Sequence, residues 1–321
     1  MKAVWLENKQ LSLKDNLPIP QPPEGEALIK VLQAGICNTD LELLRGYYPY
    51  TGILGHEFVG RVEKGPENLI NRAVVGEINA ACGECRFCKS GQPTHCENRT
   101  VLGIVNRHGA FAEYLTLPVK NLYLVPENVS LDEATFTEPV AAALEIQEQV
   151  KITPNEKVLV VGDGKLGQLV AQTLALTGCD LLVIGRHSDK LANLEQRGIK
   201  VGFKDVLKER SFDIAVECTG NPEGFSIARS ALRPRGILVL KSTYAANLNL
   251  DISGIVVDEI TLIGSRCGPF KKAIDLLAQK TIDVKSLIQH RYPFEEAISA
   301  FECAGKRGVL KVLLEMGEHK I

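Results

Sequence analysis

KVLVVGDGKLG, the stretch that spans residues 157–167, joins a short run of apolar, mostly β-branched residues to a turn with three glycines. The next segment, Leu166–Thr177, has the apolar spacing of a helix. A strand, a G-x-G-x-x-G turn and a helix in this order are typical of a dinucleotide-binding βαβ unit. Gly162 would permit the tight turn, Gly164 would let the backbone reach a pyrophosphate, and Gly167 would let the helix pack against the strand. The free N–H groups at the start of the helix would then face the phosphates.

Apolar runs and helical segments continue to alternate on the C-terminal side of this turn. The alternation predicts βαβ units and a parallel sheet buried on both faces, as in a doubly wound α/β domain. The tail is expected to hold helices near 271–279 and 294–303 and a last strand at 310–314. The strands of the sheet are predicted at 157–161, 181–184, 214–217, 237–240 and 260–263, with a further helix at 188–197.

The first 125 residues show a different pattern, with short β-like runs and many glycines and prolines. This pattern predicts an irregular β domain of the sandwich or barrel type. Residues 131–150 then read as helical, with Ser130 as an N-cap and Glu133 three positions later, as in a capping box. The strands are predicted at Ala27–Leu32, Phe58–Glu63, Ala73–Ile78 and Tyr114–Leu117.

Length and composition limit the class of protein. A chain of 321 residues with 45% hydrophobic and 24% charged residues can form about two domains with sizeable cores. The net charge of −2 gives no basic field for nucleic acid or an acidic membrane surface. The N-terminal residues lack the apolar core of a secretory signal, and no run approaches the roughly 20 apolar residues of a membrane span. We therefore expect a cytoplasmic protein that binds neither nucleic acid nor membranes.

Nine cysteines are many for such a chain, and four of them fall within residues 82–96. In a reducing compartment this cluster indicates metal binding rather than disulfides. Four thiolates suit a closed tetrahedral zinc site. An iron–sulfur cluster is the alternative, but the last gap of seven residues differs from the C-x2-C-x2-C-x3-C-P run of bacterial ferredoxins. The predicted structural zinc ligands are Cys82, Cys85, Cys88 and Cys96.

The residues after the second predicted strand bear on the choice of dinucleotide. An acid about 20 residues beyond the glycine-rich turn would bind the ribose 2′-OH of NAD. The strand ends instead in Ile184-Gly185-Arg186-His187. A guanidinium can pair with a 2′-phosphate, so this sequence favours NADP, and an aspartate at position 185 is expected to reverse the preference. The alternative is that Arg186 lies on the surface and NAD is used.

Six motifs occur in an order that resembles one family. They are GICNTD, GHEFVG, CGECRFCKSGQPTHC, TEPVAAAL, VLVVGDGKLG and VECTGNPE. Together with LIQHRYPFEEAISAFECAGK near the C-terminus, they resemble the zinc-containing medium-chain dehydrogenase/reductase family nearly end to end. The Glu-Pro motif is similar to that of its polyol and threonine dehydrogenase branch.

The resemblance implies an α/β chain with a GroES-like β domain and a Rossmann domain. The first would cover residues 1–138 and hold both zinc sites, the second 139–266, and residues 267–321 would return to the first. The implied reaction is hydride transfer between an alcohol or carbonyl substrate and NADP, or alternatively NAD, in a homo-oligomer, either a dimer or a tetramer. Residues that match the catalytic zinc site are Cys37, His56 and Glu138, with Glu57 as a neighbour or alternate ligand and Thr39 as the proton relay.

The resemblance also implies a cofactor site, and the chain departs from the family pattern at one position of the proton relay. Lys311 matches a basic residue near the cofactor phosphates, and Glu42 stands where many relatives have the histidine that ends the proton relay. A zinc-free alkene or quinone reductase and a non-catalytic NADPH-binding redox sensor are the alternatives, but neither needs Cys37, His56 and Glu138 together. The matched cofactor residues are Gly162, Gly164, Lys165, Leu166, Gly167, Gly185, Arg186, His187, Thr219 and Lys311.

Overall fold

The computed structural model describes residues 1–244 and 248–317. The chain divides into two compact units. Residues Met1–Glu138 and the chain from Phe270 onward form the first unit, and Pro139–Pro269 form the second. The return to the first unit was predicted at residue 267.

The helices and strands are numbered in chain order. The strands are β1 (Ala3–Glu7), β2 (Gln10–Lys14), β3 (Glu26–Gly35), β4 (Gly52–Ile53), β5 (Glu57–Lys64), β6 (Ala73–Gly76), β7 (Asn79–Ala80), β8 (Thr100–Leu102), β9 (Asn106–Arg107), β10 (Tyr114–Pro118), β11 (Leu122–Leu124), β12 (Lys157–Val161), β13 (Asp180–Ile184), β14 (Lys200–Gly202), β15 (Phe212–Glu217), β16 (Leu232–Leu240), β17 (Thr261–Gly264), β18 (Ile288–Pro293) and β19 (Lys311–Glu315). The helices are α1 (Asn38–Arg45), α2 (Arg86–Lys89), α3 (Leu131–Thr135), α4 (Thr137–Gln149), α5 (Lys165–Ala175), α6 (Ser188–Glu195), α7 (Pro222–Ala231), α8 (Ile252–Val257), α9 (Phe270–Ala278) and α10 (Ala297–Ala304).

The main sheet of the first unit is built around β3, a strand of ten mostly buried residues. Its strand order is β11-β6-β5-β3-β19-β18, and β10 also pairs with β3. Antiparallel pairing sets Gly35 opposite Glu57 on β5 and opposite Leu313 on β19. The C-terminal end of β3, the start of β5 and the last strand of the unit therefore meet at one place.

The stretch predicted to be helical over 131–150 consists of two helices, α3 and α4, divided at Phe136. The predicted capping box is present: Glu133 accepts a hydrogen bond of 2.8 Å from the Ser130 N–H, and the Ser130 hydroxyl accepts from the Glu133 N–H. Phe136 has φ −84° and ψ 2°, which ends α3. The break follows from Pro139, which cannot donate a backbone hydrogen bond within a helix but is tolerated in the first turn of α4.

The second unit confirms the predicted α/β sheet. Its six parallel strands lie in the order β14-β13-β12-β15-β16-β17, and β12 covers the predicted residues 157–161. Because β12 lies between β13 and β15, the residues that follow these three strands share one edge of the sheet. The apolar core includes Leu159, Ile184 and Phe225, each at most 6% exposed. Within residues 1–244 and 248–317, none of the helices has the length and apolar character needed to cross a membrane.

Candidate metal centres and nucleotide site

Three side chains with different donor atoms meet where β3, α1 and β5 come together. Cys37 caps α1 directly after β3, His56 precedes β5, and Glu57 is the first residue of β5. Their sulfur, nitrogen and oxygen donors all lie within 4.8 Å of one another. His56 and Glu57 are 3% and 1% exposed. A thiolate, an imidazole and a carboxylate at this spacing suit a zinc ion with an open coordination position.

A buried carboxylate that none of the sequence motifs indicated holds this arrangement together. Asp40 is fully buried in the first turn of α1. It accepts hydrogen bonds of 2.9 Å from the Cys37 N–H and 3.2 Å from the Gly55 N–H. One of its oxygens also lies 3.3 Å from His56 Nδ1. The signal available in the sequence was an acid three positions after the cysteine that caps the helix.

His56 places a buried imidazole ring beside two charged groups, Asp40 and Cys37. Its Nδ1 atom is buried and makes no hydrogen bond within the described part of the chain. Burial lowers the pKa of His56, but the charges of Asp40 and Cys37 outweigh it and raise the pKa well above its ordinary value. A metal ligand must be a neutral imidazole, so an ion between these donors would displace the proton that the charges of Asp40 and Cys37 favour.

Lys311 brings a cation to the same cluster. Its ammonium donates a hydrogen bond to the Glu57 carboxylate, and each side chain is 1% exposed. A Cβ at Gly35 would lie 2.5 Å from Glu57 Oε2, so glycine leaves room for that carboxylate. Burial lowers the pKa of Lys311, but Glu57, Cys37 and Glu138 raise it overall. The family resemblance implies a place for Lys311 near the cofactor phosphates, whereas its ammonium here contacts Glu57.

Two other residues of the predicted site lie around this cluster. Glu138, the second residue of α4, is half-buried, and its charge raises the pKa of Lys311. It is not among the described residues of this cluster whose donor atoms lie within 4.8 Å of one another, which are Cys37, His56 and Glu57. Thr39 Oγ1 lies 3.8 Å from Cys37 Sγ. Glu42 accepts a hydrogen bond of 2.6 Å from Arg45. The structure therefore brings Glu57, rather than Glu138, into the donor set with Cys37 and His56.

The second candidate metal centre is the lobe around α2. Its four cysteines have all their sulfur atoms within 4.8 Å of one another. The pairs Cys85–Cys88 and Cys82–Cys96 have sulfur separations of 3.6 and 3.4 Å. Backbone N–H groups of Glu84 and Cys85 point at the Cys82 sulfur and lower the pKa of its thiol to about 6. Such N–H groups stabilise thiolates, and four thiolates fit a closed zinc site.

The glycine-rich turn has the backbone that a pyrophosphate requires. Gly162 has φ +124°, a conformation that L side chains rarely adopt. A Cβ at Gly167 would lie 2.0 Å from the Gly162 carbonyl oxygen, so the close packing of helix and strand requires glycine. A Cβ at Gly164 would enter open space. Lys165 and Leu166 are the first two residues of α5, directly after Gly164. The Thr219 methyl group lies beside Gly162.

The residues after β13 carry a contact that the sequence did not indicate. The Asp163 carboxylate, from the glycine-rich turn, accepts hydrogen bonds of 2.7 and 2.8 Å from the N–H groups of Arg186 and His187. His187 Nδ1 lies 3.0 Å from the same carboxylate. A Cβ at Gly185 would lie 2.4–2.6 Å from Asp163 side-chain atoms. An aspartate at 185 would therefore collide with the Asp163 side chain unless that side chain moves. Arg186 itself lies 3.5 Å from the carboxylate of Glu223.

Comparison with known families matches both units. Residues 23–127 match the family described as the alcohol dehydrogenase GroES-like domain. Residues 166–279 match the family described as zinc-binding dehydrogenase.

Individual proteins match over nearly the whole chain. An L-galactonate-5-dehydrogenase of Escherichia coli K12 is 30% identical over 88% of this chain and 89% of its own. A zinc-binding dehydrogenase of Sinorhizobium meliloti, solved bound to NADP, is 26% identical with a TM-score of 0.88 over 98% of this chain and 99% of its own. An alcohol dehydrogenase of Escherichia coli CFT073, solved with NADH, is 27% identical with the same TM-score and coverage.

Proposed function

Because the chain belongs to the zinc-containing medium-chain dehydrogenase family, we propose that it interconverts a hydroxyl-rich secondary alcohol and its ketone with a nicotinamide dinucleotide. The similar proteins include a sorbitol dehydrogenase and an L-galactonate-5-dehydrogenase. The observation that carries the proposal is the buried donor set of Cys37, His56 and Glu57. The polar substrate class is supported by the match to an enzyme of a sugar acid.

We assign the metals to two sets of residues. Cys37, His56 and Glu57 would hold the catalytic zinc, and Glu138, the carboxylate ligand that the family resemblance implies, would be the alternate ligand. The four clustered cysteines would hold the structural zinc. When bound, the catalytic zinc supplies a Lewis acid for the substrate oxygen and the nicotinamide supplies the hydride acceptor or donor.

The protein side chains would position the donors and move the proton. Asp40 fixes the backbone at Cys37 and Gly55 and lies against His56, so it orients two ligands at once. Lys311 holds the Glu57 carboxylate. The hydroxyl of Thr39, beside Cys37, would take the proton that the substrate hydroxyl loses. Glu42 is bonded to Arg45, so we propose that Thr39 passes this proton to water rather than to Glu42.

The experiment is a screen of sugar alcohols, sugar acids and their ketones with NAD and NADP, followed by the absorbance of the reduced nicotinamide. Turnover should require zinc and should be lost in His56→Ala while the circular dichroism spectrum is retained. Turnover that persists in His56→Ala and after chelation would favour the zinc-free reductase. Dinucleotide binding without turnover, unchanged in Cys37→Ser, would favour the redox sensor.

Two further expectations from the sequence stay predictions. One is a homo-oligomer, which light scattering of the purified chain would test. The other is a cytoplasmic location, which suits four cysteines that must stay reduced to bind zinc.

A further inference from the structure

The Asp163 carboxylate occupies the place of an absent acid. In dinucleotide-binding folds, an acid at the end of the second strand binds the ribose hydroxyls of NAD. Here that position is Gly185, and a Cβ built on it would lie 2.4 Å from Asp163 Oδ2 and 2.6 Å from Asp163 Cγ. The Asp163 carboxylate, from the glycine-rich turn after β12, therefore fills the space that the Cβ of a side chain at position 185 would occupy.

We propose that Asp163 is the residue that selects the dinucleotide: its carboxylate accepts the adenosine ribose hydroxyls of NAD(H) and excludes the 2′-phosphate of NADP(H). This inference rests on the proposed function, since it requires that the glycine-rich turn bind a dinucleotide. It reverses the preference for NADP predicted from Gly185 and Arg186 alone.

The hydrogen bonds around Asp163 support both parts of the proposal. The donors that a 2′-phosphate would need at the end of β13 are the N–H groups of Arg186 and His187 and the ring of His187. All three already contact Asp163 Oδ2, at 2.7, 2.8 and 3.0 Å. Asp163 Oδ1 contacts the His187 ring at 3.1 Å. A carboxylate oxygen can accept more than one hydrogen bond, so Oδ1 retains capacity for a ribose hydroxyl.

The charge of Asp163 is stable at neutral pH. Burial raises the pKa of this carboxyl, but the N–H groups of His187 and Arg186 and the His187 ring lower it overall below its ordinary 3.8. The side chain is 9% exposed, and charges repel more strongly where water is largely excluded. A phosphate at this place would therefore meet an ionised, poorly screened carboxylate.

Arg186 does not offset this repulsion. Its guanidinium lies 3.5 Å from the Glu223 carboxylate, and both side chains are about half exposed. An exposed pair of this kind is weak, and Glu223 brings a second negative charge to the same surface. Two carboxylates, Asp163 and Glu223, thus accompany the one guanidinium that was expected to bind a phosphate.

Direct binding tests the proposal without substrate. NADH and NADPH are titrated into the purified chain, and their fluorescence gives the two dissociation constants. We expect NADH to bind at least about tenfold more tightly, the effect of one charged hydrogen bond. Asp163→Asn keeps the size of the side chain but removes its charge, and should abolish most of this ratio. The matched control, Asp189→Asn, removes an exposed charge nearby on α6 and should leave the ratio unchanged.

Moving the acid gives a second test. Gly185→Asp alone should weaken both dinucleotides, because its Cβ collides with Asp163. Asp163→Gly removes the obstacle, so the double variant Asp163→Gly/Gly185→Asp should regain a preference for NADH that Asp163→Gly lacks. NADPH binding as tightly as NADH to the unmodified chain, or an unchanged ratio in Asp163→Asn, would overturn the proposal while leaving the dehydrogenase function intact. Failure of the chain to bind either dinucleotide would overturn both.

Discussion

The ammonium group of Lys311 donates a hydrogen bond to the Glu57 carboxylate across 254 residues of sequence, and both side chains are 1% exposed. The pair exists because β19, the last strand of the first unit, lies beside β3 and brings its first residue to the donor cluster. Removing one member of a buried ion pair leaves an uncompensated charge, which is far more costly than removing an exposed pair. Lys311 therefore contributes to the stability of the centre as well as to its electrostatics.

Lys311→Met should lower the free energy of unfolding by about 3–5 kcal/mol, because it leaves Glu57 buried without its partner. Urea denaturation measures the loss, and the double variant Lys311→Met/Glu57→Gln should recover most of it. The matched control is Lys2→Met, which breaks the exposed pair between Lys2 and Glu295 and should cost far less, because solvent screens that pair. Equal costs for the two single variants would contradict a role for the buried pair.

Local sequence patterns predicted the elements of the fold well where neighbouring residues determine them. The strand at 157–161, its glycine-rich turn and the capping box at Ser130 all depend on residues close in the chain. The stretch predicted to be helical over 131–150 is divided into two helices, and the cause, Pro139, is equally local.

The composition of the candidate site was less predictable, because it depends on strand register and side-chain direction. Glu57 joins Cys37 and His56 since β3 and β5 pair with Gly35 opposite Glu57. No spacing in the sequence specifies that register. Asp163 reaches the residues after β13 because β12 and β13 lie side by side in the sheet. The preference for NADP inferred from Gly185 and Arg186 therefore left out the negative charge of Asp163.

Asp258 should make the second unit sensitive to acid. Hydrogen bonds from Arg210 and Arg229 lower the pKa of its carboxyl from 3.8 to about 2. When the pKa of a carboxyl is lower in the folded than in the unfolded chain, the carboxyl stabilises the fold at pH values above its unfolded pKa. This stabilisation is lost as the pH falls towards 2. The difference in Tm between the unmodified chain and Asp258→Asn should thus be largest near neutral pH and shrink below pH 4. Asp205→Asn, an exposed control, should show no such trend; a difference independent of pH would contradict the assignment.

Asp40→Asn should weaken zinc binding at the catalytic position by about 10–100-fold, the usual effect of losing a residue that orients a ligand. An amide offers one oxygen where the carboxylate accepts from both the Cys37 and Gly55 N–H groups. Competition with a chromophoric chelator measures the affinity, and the zinc of the four-cysteine lobe serves as an internal reference. The control Asp132→Asn removes a carboxylate that binds Arg291 and Gln33 away from the donor set. Similar losses in both variants would show that Asp40 acts only through stability.

Two zinc ions per chain are expected, one at each candidate centre, and they should differ in lability. The four-cysteine set is closed, so its ion should exchange far more slowly than the ion held by Cys37, His56 and Glu57. Cys88→Ser should unfold the lobe around α2, because so short a helix has little core of its own and folding there is coupled to the metal. His56→Ala should keep the fold and the slow zinc but lose turnover. Native mass spectrometry counts the ions, and a single zinc in the unmodified chain would refute the two-centre assignment.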